Sequence, residues 1–465
     1  MLVAKPEEDV FKGSSTTHRW TCILLISATL CQKIAIPGTG SSDTAIPISL
    51  PILLIAICFL LLQGKLVIDV WRIITFFAFL VSTIVSLVFS QSSYLSVTSW
   101  LYLLVVQAAF IFRFTDFSFD FRRTMNFLSN LALFCALMGI LQFVIQFVLG
   151  STWAFPIENF VPRGLLLSGF NNIIPIVWNS PILKSNGFFF AEPSFFCQFL
   201  AIGMIVELIK GFRLVRISII TVAILLSFSG TGLMTLGLFL PWYIISKKRY
   251  DIAALGAIAA IVVITQASSL NLSALTDRAS EFSNTDSSGF GRFLSIFYVI
   301  DRFILIDLPT ALFGRGPGTV TEFFKRMEFG AFDPTWGKIF YEYGIIGFSL
   351  YFCFFLNSFV LSRNELRVPL GFTFLFLGGY VANSFVVIPM LVLVSWPRAS
   401  VALGIRQGST GIRMPTSPFD PHALAVASPP TANASIGKAN LSSAFRRRTP
   451  RVASFPSTKD PLENL

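Results

Sequence analysis

The chain predicts an all-α polytopic membrane protein of about 12 transmembrane helices, with two large loops on the side away from the cytoplasm. Three observations carry that prediction. Of 465 residues, 13% are charged and 54% hydrophobic, with a mean hydropathy of +0.73, whereas soluble domains carry about 25% charged residues. Apolar runs recur as far as residue 396. Lys and Arg gather in alternate connecting loops, which is the charge bias of cytoplasmic loops. The 51 phenylalanines suit lipid-facing and groove-lining surfaces better than a compact aqueous core.

Residues 1–19 form a polar N-terminal segment with Lys5, Lys12 and Arg19, expected in the cytoplasm. Trp20 to about Ile36 could pass for a signal peptide. More apolar runs follow it, however, and no small-residue cleavage site does, so it is read as a first span. Further spans are expected near Ile46–Leu62, Ile73–Phe89, Trp100–Ile111, Phe127–Leu149, Pro193–Ile209, Ile252–Thr265 and Gly344–Leu361. Several fall short of the roughly 20 residues that an untilted helix needs.

Two stretches, Ile217–Ile245 and Pro369–Val394, are long for one span and short for two. The first is broken by Ser229-Gly230-Thr231-Gly232 and the second by Asn383-Ser384. Charge arbitrates between the readings. Lys65 and Arg72, Arg113 with Arg122 and Arg123, Lys210 with Arg213 and Arg216, Lys247 to Arg249, and Arg363 with Arg367 mark one side, while Gly38–Thr44 and Gln91–Thr98 hold no Lys or Arg. Alternation survives only if both stretches are tight hairpins. Both termini are then cytoplasmic, and the loops at about 150–187 and 268–338 lie outside. With a single helix at the first stretch, the larger loop would face inward. From about residue 397 to 465 the composition turns to Ser, Pro, Ala and Thr around Arg446-Arg447-Arg448, a disordered basic tail.

The composition also excludes function classes. The net charge of +11 sits in the tail and the short loops, so it does not point to nucleic acid. All six cysteines lie in apolar segments with neither disulfide nor zinc spacing. No P-loop, dinucleotide fingerprint, Ser-His-Asp set or Asp-x-Asp metal pair occurs. ATP-driven work and metal-dependent transfer from a nucleotide sugar are therefore disfavoured, and no metal or cofactor is expected.

Chemistry-bearing residues concentrate in the two outer loops. Phe290–Ile306 reads as an amphipathic helix with Arg292, Ser295, Val299 and Arg302 on one face and Phe293, Leu294, Phe297, Ile300 and Ile304 opposite. Such a helix lies in the membrane interface with its arginines at headgroup level, although a snorkelling surface helix has the same pattern. Gly314-Arg315-Gly316-Pro317-Gly318 could turn successive N–H groups toward one centre and add a guanidinium suited to phosphate; a Gly/Pro cluster is otherwise simply a turn. With Arg278, Arg292 and Lys338 it makes a cradle for a diphosphate. In the first loop, Arg163 and Lys184 precede Ser185-Asn186-Gly187-Phe188-Phe189-Phe190-Ala191-Glu192-Pro193-Ser194. Pro193 suits the first helical position and Glu192 its cap. The carboxylate is then either a structural cap or a group able to position, or take a proton from, a sugar hydroxyl. Further carboxylates stand at Glu281, Asp286 and in Tyr341-Glu342-Tyr343.

Several of these stretches together resemble the bacterial O-antigen and exopolysaccharide polymerases (Wzy-type) of the O-antigen ligase-like superfamily. They are Ser185–Leu200 with its Phe-Ala-Glu-Pro-Ser core, Leu226–Gly232, Arg278–Gly289, Phe313–Gly318, and Lys338–Gly344 running into Gly347. The resemblance implies a multi-pass protein of the bacterial inner membrane with periplasmic outer loops. It implies a metal-independent glycosyltransferase that passes an undecaprenyl-diphosphate-linked glycan to the next lipid-linked repeat, with a chain-length regulator and a flippase of the same pathway as partners. Arg278 and Arg292 would hold the diphosphate and Glu192 would stand near the acceptor, these three being the catalytic candidates. Arg163, Arg315, Lys338, Tyr341 and Glu342 are the substrate-binding candidates. Arg163 departs from the pattern, since it does not start the Arg-to-Gly spacing, ten residues between the two, that Arg278 and Gly289 show.

The rival readings are an O-antigen ligase, a glycolipid flippase or secondary transporter, and a structural, non-catalytic partner of an export complex, which residues alone do not separate from an enzyme. An O-antigen ligase, moving finished glycan to lipid A-core, resembles this layout but relies on a histidine in the large outer loop. None occurs between His18 and His422. A glycolipid flippase or secondary transporter would place charges in mid-membrane, whereas the polar candidates inside these spans are amides such as Gln107, Gln142, Gln146 and Gln198.

Overall fold

The computed structural model describes residues 14–37, 45–90, 94–115, 118–177, 179–251, 256, 265, 288–324, 333–360 and 364–397. Over these the chain is mostly helical with one small sheet. The basic tail, most of the polar N-terminal segment and the expected span at Ile252–Thr265 (two positions apart) lie outside the described residues.

Helices α1 (Ser15–Leu30) and α2 (Ser49–Leu62) lead to strand β1 (Leu66–Ile68). Helices α3 (Val70–Phe89) and α4 (Val97–Ala108) follow, and strand β2 (Phe112–Phe114) pairs antiparallel with β1, Val67 opposite Arg113. Next come α5 (Phe121–Val148) and the short α6 (Ser151–Ala154) and α7 (Pro156–Phe160), then α8 (Pro193–Lys210), α9 (Leu214–Leu226) and α10 (Gly230–Lys247). The segment expected as the second outer loop contributes α11 (Ser288–Phe293), α12 (Ser295–Phe303), α13 (Leu308–Phe313) and α14 (Thr319–Phe324). Helices α15 (Thr335–Phe355), α16 (Arg367–Phe376) and α17 (Ser384–Met390) complete the order, the first and last continued by π-helical turns.

Among the described residues, four helices are long and apolar enough to cross a membrane: α3, α5, α8, and α15 with its continuation to Phe359. Helix α3 turns much of its apolar surface outward, and beside Phe76 and Phe79 its buried residues are small and polar. Ile74, Phe77, Val81, Ile84 and Val88 are exposed at helical spacing, while Ser82, Thr83 and Ser86 are buried. Small polar residues inside and large apolar ones outside is the arrangement that lipid favours, because close backbone approach and hydrogen bonds drive packing there. Local caps start α3 and α5. The Asp69 carboxylate takes the N–H groups of Trp71 and Arg72, and that of Asp120 takes the N–H of Arg123.

Hydrogen bonds between elements fix the directions. One end of the bundle carries Lys65, Arg72, Arg113 and Arg213 and is called the basic end. There Arg72 donates to Phe112 O (2.7 Å) and Ser395 O (2.9 Å), Trp396 Nε1 to Ala109 O (2.9 Å), and Arg113 pairs with Asp69 (3.0 Å). The buried Glu207 of α8 receives Arg213 Nε at 2.8 Å and the Ser129 hydroxyl, fastening α5, α8 and α9 together. At the opposite end Ser185 N–H meets Leu226 O (3.1 Å) and the Thr231 hydroxyl meets Ser194 O (3.2 Å), while the Tyr243 hydroxyl reaches Leu208 O (2.8 Å) near the basic end. Helix α9 is therefore antiparallel to α8, and α10 reverses again. The expected break occurs, at Ser227–Ser229 with Phe228 at φ 45°, but α9 packs chiefly on α5 and then on α8, and α10 on α8, instead of on each other.

The last stretch also reverses, a few residues earlier than expected. Helix α16 stops at Phe376 and the chain turns through 377–383 before α17. Asn364, just before α16, donates to Leu393 O at 2.5 Å, so both arms return to the same level. Ten residues of α16 rise about 15 Å against a hydrocarbon core of about 30 Å. Gly344 was expected to open the last long span; instead α15 starts at Thr335, and Gly344 (φ 64°, ψ −171°) kinks it from within.

The predicted amphipathic helix Phe290–Ile306 is broken at Leu294 into α11 and α12, and its faces differ from expectation. Ser295, Ile296, Val299 and Ile304 are buried, whereas Phe297 and Tyr298 are more than half exposed. The sequence wheel set Ser295 and Val299 beside the arginines. Packing against Tyr341 and Val320 draws that face inward instead.

Candidate functional site

The end opposite the basic one holds the described parts of the segments 150–187 and 268–338 and two polar constellations. The first is built on α8. Pro193 occupies the first helical position, and Glu192 precedes it in extended backbone (φ −142°, ψ 158°). Its side chain does not cap α8. One carboxylate oxygen takes the Ser194 hydroxyl at 2.9 Å and the other the Asn171 N–H at 3.4 Å. The capping expectation thus fails in its details, because Ser194 and the loop at Asn171 compete for the carboxylate. Just below, Phe195, Gln198, Phe199 and Ile202 of α8 line an apolar cavity completed by Gln32, Leu128, Thr373, Phe385, Pro389 and Leu393. Its interior volume is about 60 Å3. The half-length α16 and α17 form one wall.

The second constellation sits where α15 begins. Lys338 Nζ lies 3.5 Å from Asp333 Oδ2 and 3.8 Å from Glu342 Oε1. Glu342 is buried, and its Oε1 also accepts the Gly318 N–H at 2.9 Å. The kink at Gly344 opens the helical ladder, and the carbonyls above it turn to the glycine loop. Arg315 N–H donates to Tyr341 O (3.1 Å) and Gly316 N–H to Glu342 O (2.8 Å). Gly314 N–H donates to Thr310 O (2.8 Å), and residue 317 is proline. The expected nest of amides for an anion is therefore taken up by protein carbonyls. The positive φ values of Gly314, Gly316 and Gly318 serve close packing on α15, Ser90 and Ser96.

The turn 377–383 joins the two constellations. The Thr335 N–H and hydroxyl meet Gly378 O at 2.9 and 3.1 Å, and Gln198 Nε2 donates to Tyr380 Oη at 2.9 Å.

The candidates of the sequence analysis are distributed unevenly. Lys338 and Glu342 come together; Arg315 lies alongside, its Nε donating to Phe303 O at 2.8 Å. Tyr341 is fully buried among Ile296, Val299 and Val320, so its ring belongs to the packing of the outer loop. Arg163 is exposed on the short 3-10 turn Arg163–Leu165. Arg278 lies outside the described residues, as do Glu281 and Asp286; Arg292 falls on α11, with its side chain outside the described part.

Sequence reasoning passed over Lys33 and Glu158. Lys33 lies three residues beyond the end of α1, outside the helix, and is buried. Its Nζ donates to Glu158 Oε1 (2.5 Å), Asn186 Oδ1 (3.3 Å) and Phe188 O. Burial pushes the Lys33 ammonium down to about 8, against the pull of Glu158. Gln142 Nε2 donates to the same Asn186 oxygen (2.9 Å), and Gln142 Oε1 receives the Asn186 N–H (2.9 Å) and the Ser185 hydroxyl (2.9 Å). A lysine inside an apolar run was the available signal.

Comparison with protein-family models, with curated proteins and with solved structures returned no match.

Proposed function

We propose that this chain is a polysaccharide polymerase of the bacterial inner membrane. In this reading it crosses the bilayer about twelve times, with both termini cytoplasmic. The loops bearing Glu192, Arg278, Arg292 and Lys338 then face the periplasm. The observation that carries the proposal is the Glu192 carboxylate one turn above an apolar cavity walled by α8, α16 and α17. Such a juxtaposition suits a lipid-linked glycan, with hydrocarbon in the cavity and sugar and phosphate at its mouth.

The transfer balances without a metal or cofactor. The bond from the donor's anomeric carbon to the diphosphate oxygen breaks, and undecaprenyl diphosphate leaves with the electron pair. The acceptor's hydroxyl oxygen bonds to that carbon, and Glu192 takes its proton. Arg278 and Arg292 supply positive charge where negative charge develops, with Arg163 and Arg315 as further phosphate partners and Lys338 beside them. A chain-length regulator and a flippase are the expected partners.

Purified protein supplied with synthetic lipid-diphosphate repeats tests this reading on a gel. A ladder of products supports polymerisation. A single shift that needs lipid A-core would replace it with ligation, and absence of product in every condition would move the assignment to transport.

A further inference from the structure

We propose that Glu158 and Asn172 form a subsite for two hydroxyl groups of a saccharide, beside the Lys33–Asn186 knot of the first outer loop. Of the two Glu158 carboxylate oxygens, only Oε1 is engaged, by Lys33. Oε2 is buried with no donor, and so is Asn172 Oδ1. The Glu158 side chain is 9% exposed.

Buried polar atoms are normally paired, so each exception calls for a missing partner. Here both exceptions have the same sense: each is an acceptor waiting for a hydrogen. They also hang from one residue. Asn186 Nδ2 donates to the main-chain oxygen of Asn172 at 2.9 Å, while Asn186 Oδ1 takes the Lys33 ammonium that grips Glu158. Lys33 fixes one carboxylate oxygen and leaves the other aimed elsewhere. A ligand that complements this pair carries donors, is uncharged or cationic, and bears no anion to oppose Glu158. A sugar diol meets those terms; a phosphate does not.

A second observation comes from the same short helices. Trp153 on α6 and Phe160 on α7 are 57% and 59% exposed, with ring centroids 5.4 Å apart. An open aromatic pair on the same short helices as Glu158 supplies an apolar face of the kind a pyranose stacks on. Neither acceptor oxygen touches solvent, so a saccharide reaches them as the loop exposed at Asn171 and Ile173 moves aside.

The proposal rests on the reading of this end as the glycan-handling end, but it concerns binding alone. The test is saturation-transfer NMR on the full-length protein in lipid nanodiscs, with methyl hexosides and methyl N-acetylhexosaminides as probes. Wild type is expected to transfer saturation to at least one probe. Asn172→Ala, whose main-chain oxygen still serves Asn186, is expected to weaken that binding about tenfold, and Asn172→Asp to retain it. No transfer to any probe, which leaves water as the partner of these oxygens, would overturn the subsite. So would equal binding by wild type and Asn172→Ala. Failure of the polymerisation ladder with sugar binding intact would count against the polymerase reading and leave the subsite standing.

Discussion

Gly344 and Gly314 pack backbone against backbone: a Cβ on Gly344 would stand 2.6 Å from the Gly314 amide nitrogen. Gly344 also holds φ 64° and ψ −171°, a conformation essentially reserved for glycine. Gly344→Ala is therefore expected to cost about 3 kcal/mol or more. A lowered unfolding midpoint in detergent would register it; an unchanged midpoint would contradict the tight fit of the glycine loop on α15.

Glu192 takes the Ser194 hydroxyl at the mouth of the cavity. If Glu192 receives the acceptor proton, as proposed, it should contribute about 100- to 10,000-fold to rate. Glu192→Gln preserves size and hydrogen bonding, so product formation should fall by that order with an unchanged unfolding midpoint. A ladder of wild-type intensity would leave Glu192 with a positioning role only.

Arg278→Ala and Arg292→Ala should each abolish the ladder while the protein still inserts into membranes, because a departing diphosphate needs the guanidinium charge. Wild-type ladders from both variants would remove these arginines from the site.

Lys33→Met strands the buried Glu158 carboxylate and should cost about 3–5 kcal/mol at neutral pH. The wild type carries a further pH signature. The Lys33 ammonium is held down to about 8 in the folded chain against an ordinary 10.5, so the unfolded chain binds more protons between those values. Stability from this group thus rises as pH climbs from about 8 toward 10.5 and is lowest below about 8. Unfolding midpoints of wild type and Lys33→Met should draw further apart over that window, the wild type gaining, and parallel curves would show that Lys33 does not titrate there.

Leu308 on α13 is 71% exposed. A cysteine placed there should react with a membrane-impermeant maleimide added to intact spheroplasts. Protection until the membrane is opened would put the second outer loop in the cytoplasm and end the polymerase proposal.

Much of the helical order was legible in the residues. Runs such as Val70–Phe89 and Phe121–Val148 announce themselves because an apolar stretch of that length has few other stable homes. The break near Ser229 was legible for a similar reason, since Ser, Gly and Thr interrupt the apolar run. The glycine loop was not. Gly-Arg-Gly-Pro-Gly reads equally as an anion nest or a packing surface, and the choice falls to a kink in α15, distant in sequence, whose carbonyls claim the amides. The Lys33–Glu158 pair was hidden too, since 125 residues separate its members.

From the sequence alone came the membrane class, the rhythm of apolar runs and the charge asymmetry of the loops, all of which depend on local transfer free energies. Tertiary structure alone decided which polar groups meet. It brought Lys338 to Asp333 and Glu342, sank Tyr341 into the packing of the outer loop, and left Glu158 with one oxygen engaged and the other unpaired. The physical reason is that a buried polar group is satisfied only by a partner at hydrogen-bond distance, and that distance is set by how helices pack, which no local pattern of residues encodes.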